Sequence, residues 1–277
     1  MRILNVYPVI KWAGGKRQLL SEISSRLPNK FRNYYEPFFG GGALFFYLLP
    51  ERALINDFNS QLVNVYRQIK SSPDEVISYL MIFQDCYNAL TNDSDKTAFY
   101  FQKRDDFNSF ILNDTFTVES ASLFIFLNKA GYNGLYRVNR RGLFNVPPAH
   151  RKTLNVCEPE NIYAVSNLLQ NCKIKQGDFE EACSEAGCDD FVFFDSPYYD
   201  TFDSYQTGGF SDSDHIRLFK LFKKLSAAGT YCVLTNNDCN FIKNLYADFN
   251  VDVVQVKRMI NCNSQKRTGS EVIITNF

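Results

Sequence analysis

The segment Glu36-Pro37-Phe38-Phe39-Gly40-Gly41-Gly42-Ala43 lies where an apolar run, Tyr34–Phe39, gives way to helical periodicity over Gly42–Leu49. A strand that ends in glycines and continues as a helix is a building unit of an α/β sheet. Glycine permits left-handed torsions and lets another group approach the backbone closely. Taken alone, the segment reads equally well as a plain tight turn or as a ligand cradle. Its spacing matches neither the dinucleotide fingerprint nor the P-loop, and no Gly-Lys-Ser/Thr follows, so a phosphate cradle is disfavoured.

Outward from this turn the same alternation recurs. Further buried strands are expected at Ala53–Asn56, Lys173–Gln176, Phe191–Phe194, Tyr231–Thr235, Val251–Val256 and Glu271–Thr275. Helical periodicity marks Ser60–Ile69, His215–Leu225 and Phe241–Asp248, with Ile216, Phe219, Phe222 and Leu225 falling at helical spacing on one face. Alternating strands and helices predict a Rossmann-like α/β sheet with right-handed crossovers, whose ligands bind beyond the carboxyl ends of the strands. Residues 73–170 interrupt the alternation. They read as a mostly helical insertion (Pro73–Leu90, Asp95–Phe110, Val118–Lys129) between the two parts, 1–72 and 171–277, of one α/β domain. A polar β-hairpin is expected over Tyr132–Val146, from its Asn-Gly and Arg-Gly turn signals.

Composition narrows the class. Of 277 residues, 45% are hydrophobic and 22% charged, which excludes a disordered chain. No apolar run is long enough for a membrane span, and the start lacks the features of a signal peptide. The 8 cysteines are scattered singly, so reduced thiols in the cytoplasm are expected, and with 2 histidines a metal site is not. Lys plus Arg and Asp plus Glu are 30 each, and a net charge of zero argues on its face against a nucleic-acid partner. Zero is, however, a sum over unequal regions. Residues 120–157 contain no acid but carry Lys129, Arg137, Arg140, Arg141, Arg151 and Lys152, whereas residues 178–214 hold 11 acids and no Lys or Arg.

Two more strand ends carry chemistry. In Leu54-Ile55-Asn56-Asp57 an acid closes the second strand, where it can accept hydrogen bonds from ribose hydroxyls or serve only as part of a helix cap. Phe191-Val192-Phe193-Phe194-Asp195-Ser196-Pro197-Tyr198-Tyr199 delivers an acid, a carbonyl before proline and an aromatic ring to the same edge. Such a set suits a planar base with an exocyclic amine. Asp195 and the Ser196 carbonyl can accept the two amine hydrogens, and Tyr198 can stack on the ring. An ordinary Asp-x-Pro turn is the alternative.

Between Lys11 and Thr275 the chain resembles the Dam-type DNA adenine-N6 methyltransferases, of the restriction-modification and orphan kinds that methylate GATC. The resemblance rests on Lys11-Trp12-Ala13-Gly14-Gly15-Lys16, Glu36–Gly42, Asn56-Asp57, Asn133-Gly134-Leu135-Tyr136-Arg137-Val138-Asn139, Phe144-Asn145-Val146-Pro147 and Asp195–Tyr198. Cofactor motif, recognition insertion and catalytic motif follow in the α-group order. The resemblance implies that S-adenosylmethionine, which leaves as S-adenosylhomocysteine, binds at Trp12, Lys16, Phe38, Phe39, Gly40, Gly42 and Asp57. Asp178 and Phe179 would contact its adenine, with Asp195 nearby and no metal involved. The target adenine would flip into a pocket formed by Asp195, Ser196, Pro197 and Tyr198, and its N6 would attack the sulfonium methyl directly.

The insertion, by the same resemblance, reads duplex DNA. Arg137 would contact a guanine edge, Leu135 a thymine methyl, Lys11 the outer guanine, and Tyr132 would wedge into the stack. Asn133 and Asn139 would position the hairpin, while Arg140, Arg141, Arg151 and Lys152 would touch phosphates or stand solvated. The basic tail around Lys266-Arg267 offers a second phosphate patch. A monomer acting on DNA fits this family, with or without a restriction endonuclease that recognises the same sequence and makes no direct contact. The chain departs from the family at Ser196, where proline is usual; serine keeps the carbonyl but frees φ. Cytosine-N4 transfer, an RNA or protein amide substrate, and a decayed DNA-binding relative are the competing readings.

Overall fold

The structure is a computed structural model that describes residues 6–12, 14–199, 209–257 and 268–277. Ala13, Cys262 and the Lys266-Arg267 patch lie outside the described residues. Seven strands pair into one sheet: β1 (Tyr34–Glu36), β2 (Ala53–Asp57), β3 (Cys172–Gln176), β4 (Phe191–Phe194), β5 (Tyr231–Asn237), β6 (Asn250–Lys257) and β7 (Thr268–Thr275). Their order in space is β3-β2-β1-β4-β5-β7-β6. All run parallel except β7, which is antiparallel to β5 and β6 on either side of it.

Ten helices are described: α1 (Leu20–Ser24), α2 (Ala43–Leu48), α3 (Ser60–Ser71), α4 (Pro73–Ala89), α5 (Asp93–Leu112), α6 (Val118–Ala130), α7 (Pro159–Leu169), α8 (Phe179–Ala182), α9 (Asp212–Ala227) and α10 (Asn240–Leu245). Helices cover both faces of the sheet, and its central strand β4 reads as an unbroken apolar run buried at every position, whereas the edge strands β3 and β6 alternate apolar with polar residues. Side chains alternate between two cores, as the pleat requires. Tyr34, Phe191 and Phe193 face the core shared with α1–α7, whereas Tyr35, Val192 and Phe194 face α8–α10. Residues 73–170 contribute Leu80, Phe83, Tyr100, Phe107 and Phe124 to the first of these cores, and α7 is tied to α3 by Ser166 and Gln170, which donate to the Lys70 carbonyl.

Two expectations are corrected. On α9 the buried stripe is His215, Leu218, Leu221, Phe222 and Leu225, while Ile216 is 39% exposed. Steps of three fall about 60° short of a full turn each time, so the 216/219/222/225 series winds off the buried face. The expected hairpin over 132–146 is reduced to a short antiparallel pairing: Tyr132–Gly134 is a 3-10 turn, isolated bridges join Gly131 to Pro148 and Val138 to Phe144, and the Asn139 and Asn145 N–H groups donate to the Leu143 and Arg137 carbonyls at 2.9 and 3.1 Å. Side chains reinforce this loop. The Asn139 carboxamide oxygen accepts from the Arg141 and Leu143 N–H groups, and Asn108 grips both the N–H and the carbonyl of Phe144. No helix among the described residues is long and apolar enough to cross a membrane.

Candidate active site

Strand order reverses between β1 and β4: β2 and β3 continue on one side, β5 and β7 on the other. The carboxyl ends of β1 and β4 therefore open a crevice, the usual ligand position in such sheets. A cavity of about 810 Å³ lies there, with Asp195, Ser196, Pro197 and Tyr198 at its β4 end. Lys16, only 6% exposed, places Nζ 2.5 Å from Asp195 Oδ1 and donates to the Gly14 carbonyl at 2.6 Å. The same ammonium stands 4.6 Å from the centre of the Tyr198 ring. Thr235 on β5 also donates to Asp195 Oδ1, at 3.0 Å. Both donors thus engage one oxygen, and no described residue donates to Oδ2. Burial raises the Asp195 pKa despite the Lys16 charge, which opposes it.

The segment that follows Asp195 is held from β5 and β7. Asn236, fully buried, accepts from the Tyr199 N–H at 3.0 Å and donates to Ser196 Oγ at 3.4 Å. Asn237 donates to the Tyr199 carbonyl at 2.7 Å, and the Tyr198 hydroxyl donates to Glu271 at 2.5 Å. Burial pushes the Tyr198 pKa up, with the Asp195 and Glu271 charges adding to it. Glu36, at the end of β1, lines the same end of the cavity and accepts from the Tyr34 hydroxyl at 2.8 Å. Its carboxyl sits well above the usual range, chiefly through burial.

Asp57 performs the latch at the centre of the cavity. Its Oδ2 accepts from the Gly40 N–H at 2.8 Å and its Oδ1 from the Asn59 N–H at 2.9 Å, while Asn59 itself caps α3. Burial raises its pKa against these bonds. The glycine turn makes room for aromatic rings of this chain. A Cβ on Gly40, whose φ is +50°, would lie 2.6 Å from Trp12 Cδ1, and one on Gly42 would run into the Phe39 ring. Trp12 in turn stacks on Tyr136, ring centres 5.6 Å apart. Phe39 lines the cavity, but its ring is 3% exposed and packs on Phe45, Phe46 and Tyr66. At the far end Phe38, Phe179 and Phe210 converge at 5.3–5.9 Å, beside Asp178 and Arg217.

Lys11 and Asn133 line the cavity from the insertion side. Asn128 joins them to the core: it accepts from the Lys11 N–H at 2.9 Å and donates to the carbonyls of Lys11 and Gly134. Tyr132 is 55% exposed, and Leu135 packs partly into the core. Arg137 is exposed and braced by Asn145, to whose side-chain oxygen and carbonyl it donates at 2.8 and 3.2 Å. Arg140, Arg141, Arg151 and Lys152 are exposed. Sequence reading did not single out Glu36, Thr235, Asn236, Glu271, Phe210 or Arg217 as site residues. The polar Thr235-Asn236-Asn237 end of an otherwise apolar strand was the available signal, since it ends at the same edge as Asp195.

A cationic sulfonium nucleoside suits this cavity: the half-buried carboxylates of Asp195 and Asp57 complement its charge, and Phe38, Phe179 and Phe210 offer flat apolar faces. A mixed sheet in this order with such a crevice is consistent with the class I methyltransferase fold. Over residues 12–260 the chain matches the family described as D12 class N6 adenine-specific DNA methyltransferase, and it belongs to that family. It is 40% identical to the type II methyltransferase M.MjaIII of Methanocaldococcus jannaschii, over 99% of this chain and 100% of that one. Identity to the type II methyltransferase M1.LlaDCHI of Lactococcus lactis subsp. cremoris is 38% (99% and 96% covered), and to the DNA adenine methylase of Escherichia coli K12 it is 31% (97% and 94% covered). The protein is thus an adenine-specific DNA methyltransferase, and its family implies use of S-adenosylmethionine and a DNA substrate.

Proposed function

We propose that the enzyme methylates N6 of a flipped adenine within GATC, with residues 73–170 as the target-recognition unit and the α/β parts, 1–72 and 171–277, as the catalytic domain. The observation that carries the catalytic assignment is the Lys16–Asp195–Tyr198 cluster beside the glycine turn. Asp195 Oδ2 and the Ser196 carbonyl accept the two amine hydrogens, which leaves the nitrogen lone pair free. Tyr198, steadied by Glu271, provides the stacking face. When bound, S-adenosylmethionine supplies the electrophilic methyl. Trp12, Lys16, Phe38, Phe39, Gly40, Gly42 and Asp57 would hold the cofactor, with Asp178 and Phe179 at its adenine. The proton that N6 loses leaves towards Asp195, whose raised pKa favours accepting it.

Sequence reading is assigned to Arg137 and Leu135 at base edges, Lys11 at the outer guanine and Tyr132 as the wedge, with Asn133 and Asn139 shaping the loop. Bracing by Asn145 fixes the Arg137 fork, as bidentate contact with a guanine requires. Arg140 and Arg141 contact phosphates. The enzyme acts as a monomer, and a cognate endonuclease, where one exists, shares only the recognised sequence. One assay tests this reading: incubation of unmethylated plasmid with S-adenosylmethionine, then digestion by nucleases that differ in sensitivity to N6-methylated GATC. Protection at GATC, lost in Asp195→Ala while DNA binding persists, is expected. Protection at another sequence overturns the GATC assignment, and an active Asp195→Ala overturns the catalytic one.

A further inference from the structure

Three acids surround a single guanidinium at the Phe38 end of the cavity. Arg217 on α9 donates through Nη2 to both Asp178 oxygens at 2.9 Å and through Nη1 to Asp214 at 3.2 Å; its Nε lies 3.3 Å from Glu180. The guanidinium also rests 4.8 Å from the centre of the Phe179 ring. We infer that Arg217 is a positioning residue that, through Asp178, makes the cavity select a 6-amino purine over a 6-oxo purine. The inference rests on the proposed contact of Asp178 and Phe179 with the cofactor's adenine.

The helix ends do not need this arginine. A reciprocal Ser211–Asp214 capping box closes the start of α9, and Asp178 caps α8 by accepting from the Glu180 N–H at 2.9 Å. The four-residue α8 is too short to fix Asp178 unaided. With the Glu180 N–H and Arg217 on Oδ1 and only Arg217 on Oδ2, the carboxylate keeps an acceptor site on Oδ2, held in place by a bridging Nη2 whose guanidinium is itself fixed through Nη1 to Asp214 and Nε to Glu180. An exocyclic amine satisfies that site. A 6-oxo group sets oxygen against oxygen and leaves a lone pair unmet. Lysine would supply the charge at this position without the two further nitrogens that anchor the guanidinium to Asp214 and Glu180. The pair is more than a third exposed on both sides, so its loss should leave the fold intact.

The test is calorimetric titration of the full chain, without DNA, against S-adenosylhomocysteine and its 6-oxo analogue S-inosylhomocysteine. Wild type should prefer the amino ligand by about tenfold or more. Arg217→Met should reduce the preference to near unity, chiefly by weakening the amino ligand, with Arg217→Lys intermediate and both variants melting within a few degrees of wild type. Equal weakening of both ligands in Arg217→Met, or a full preference in Arg217→Lys, overturns the role of the anchored guanidinium. Asp178→Asn separates the two layers. If it keeps the wild-type preference, the adenine contact assigned to Asp178 falls; if it loses the preference while Arg217→Met keeps it, only the role of Arg217 falls.

Discussion

Two carboxyls, the buried Glu36 and the half-buried Asp195, face one ammonium, Lys16, and that ammonium pairs with Asp195. Glu36 is left with neutral donors, the Tyr34 hydroxyl and the Phe45 N–H, so its proton is held far more firmly in the folded chain than in the unfolded one. An acid with a raised folded pKa stabilises the fold fully below its unfolded value of about 4.3 and loses that contribution as pH climbs through the raised value. Glu36→Gln keeps an acceptor for Tyr34 but cannot ionise. The variant should therefore gain melting temperature over wild type progressively from pH 5 to 8, each kcal/mol appearing as roughly 2–4 °C. A constant offset across that range would contradict this account. Ser196 supplies a second test at this scale. Asn236 grips both Ser196 Oγ and the Tyr199 N–H, and so restrains the backbone where proline is usual in the family. Asn236→Ala should lower kcat without raising KM for DNA, and Ser196→Pro should be near neutral alone yet recover part of the loss in the double variant. No recovery would show that Asn236 acts by some route other than the Ser196 backbone.

Among the elements, the turn between β1 and α2 concentrates the constraints. Gly40→Ala adds a left-handed torsion, about 1–2 kcal/mol, and a Cβ 2.6 Å from Trp12 Cδ1. Gly142 also has a positive φ, but a Cβ there meets nothing within 4 Å. Gly40→Ala should thus cost clearly more in urea unfolding than Gly142→Ala, and comparable costs would remove the Trp12 contact from the explanation. The central strands were legible because burial on both faces turns a strand into an apolar run, and Phe191–Phe194 was read to the residue, whereas the edge strands β3 and β6 alternate apolar and polar residues. Insertion of β7 between β5 and β6 was not, since strand order is set by packing at long range rather than by local pattern. Asp57, Asp195 and the glycines were visible as residues that interrupt apolar runs. Thr235 and Glu271 were not, because their partners, Asp195 and Tyr198, are 40 and 73 positions away. Arg217 read as one more charge on an amphipathic helix. The turn signals in the 132–146 loop were real, but the backbone pairing they accompany is confined to residues 137–145, and the Asn139, Asn108 and Asn145 side chains reinforce it.

For the molecule as a whole, neutrality and DNA binding are reconciled by segregation: the acid-free stretch 120–157 includes the exposed Arg137, Arg140 and Arg141, and the base-free stretch 178–214 includes the half-buried Asp195 of the cavity. Loss of Arg140 and Arg141 together should reduce the slope of log K against log salt by about 1.8, near 0.9 per phosphate contact, equally on cognate and non-cognate DNA. Arg137→Ala should instead cost about 1–3 kcal/mol on cognate DNA alone. Uniform loss in the second case would reassign Arg137 to the backbone. Trp12 lies against the glycine turn on one side and Tyr136 on the other, Tyr136 stacks on Phe124, and Asn128 ties Lys11 to Gly134. For anyone retargeting the enzyme by loop grafting, this sets the seam. Residues 137–143 are the part of the proposed reading loop open to exchange, whereas Phe144 sits in the core against Phe107 and Tyr136, and a transplant cut within 131–136 would leave Trp12 without its neighbour.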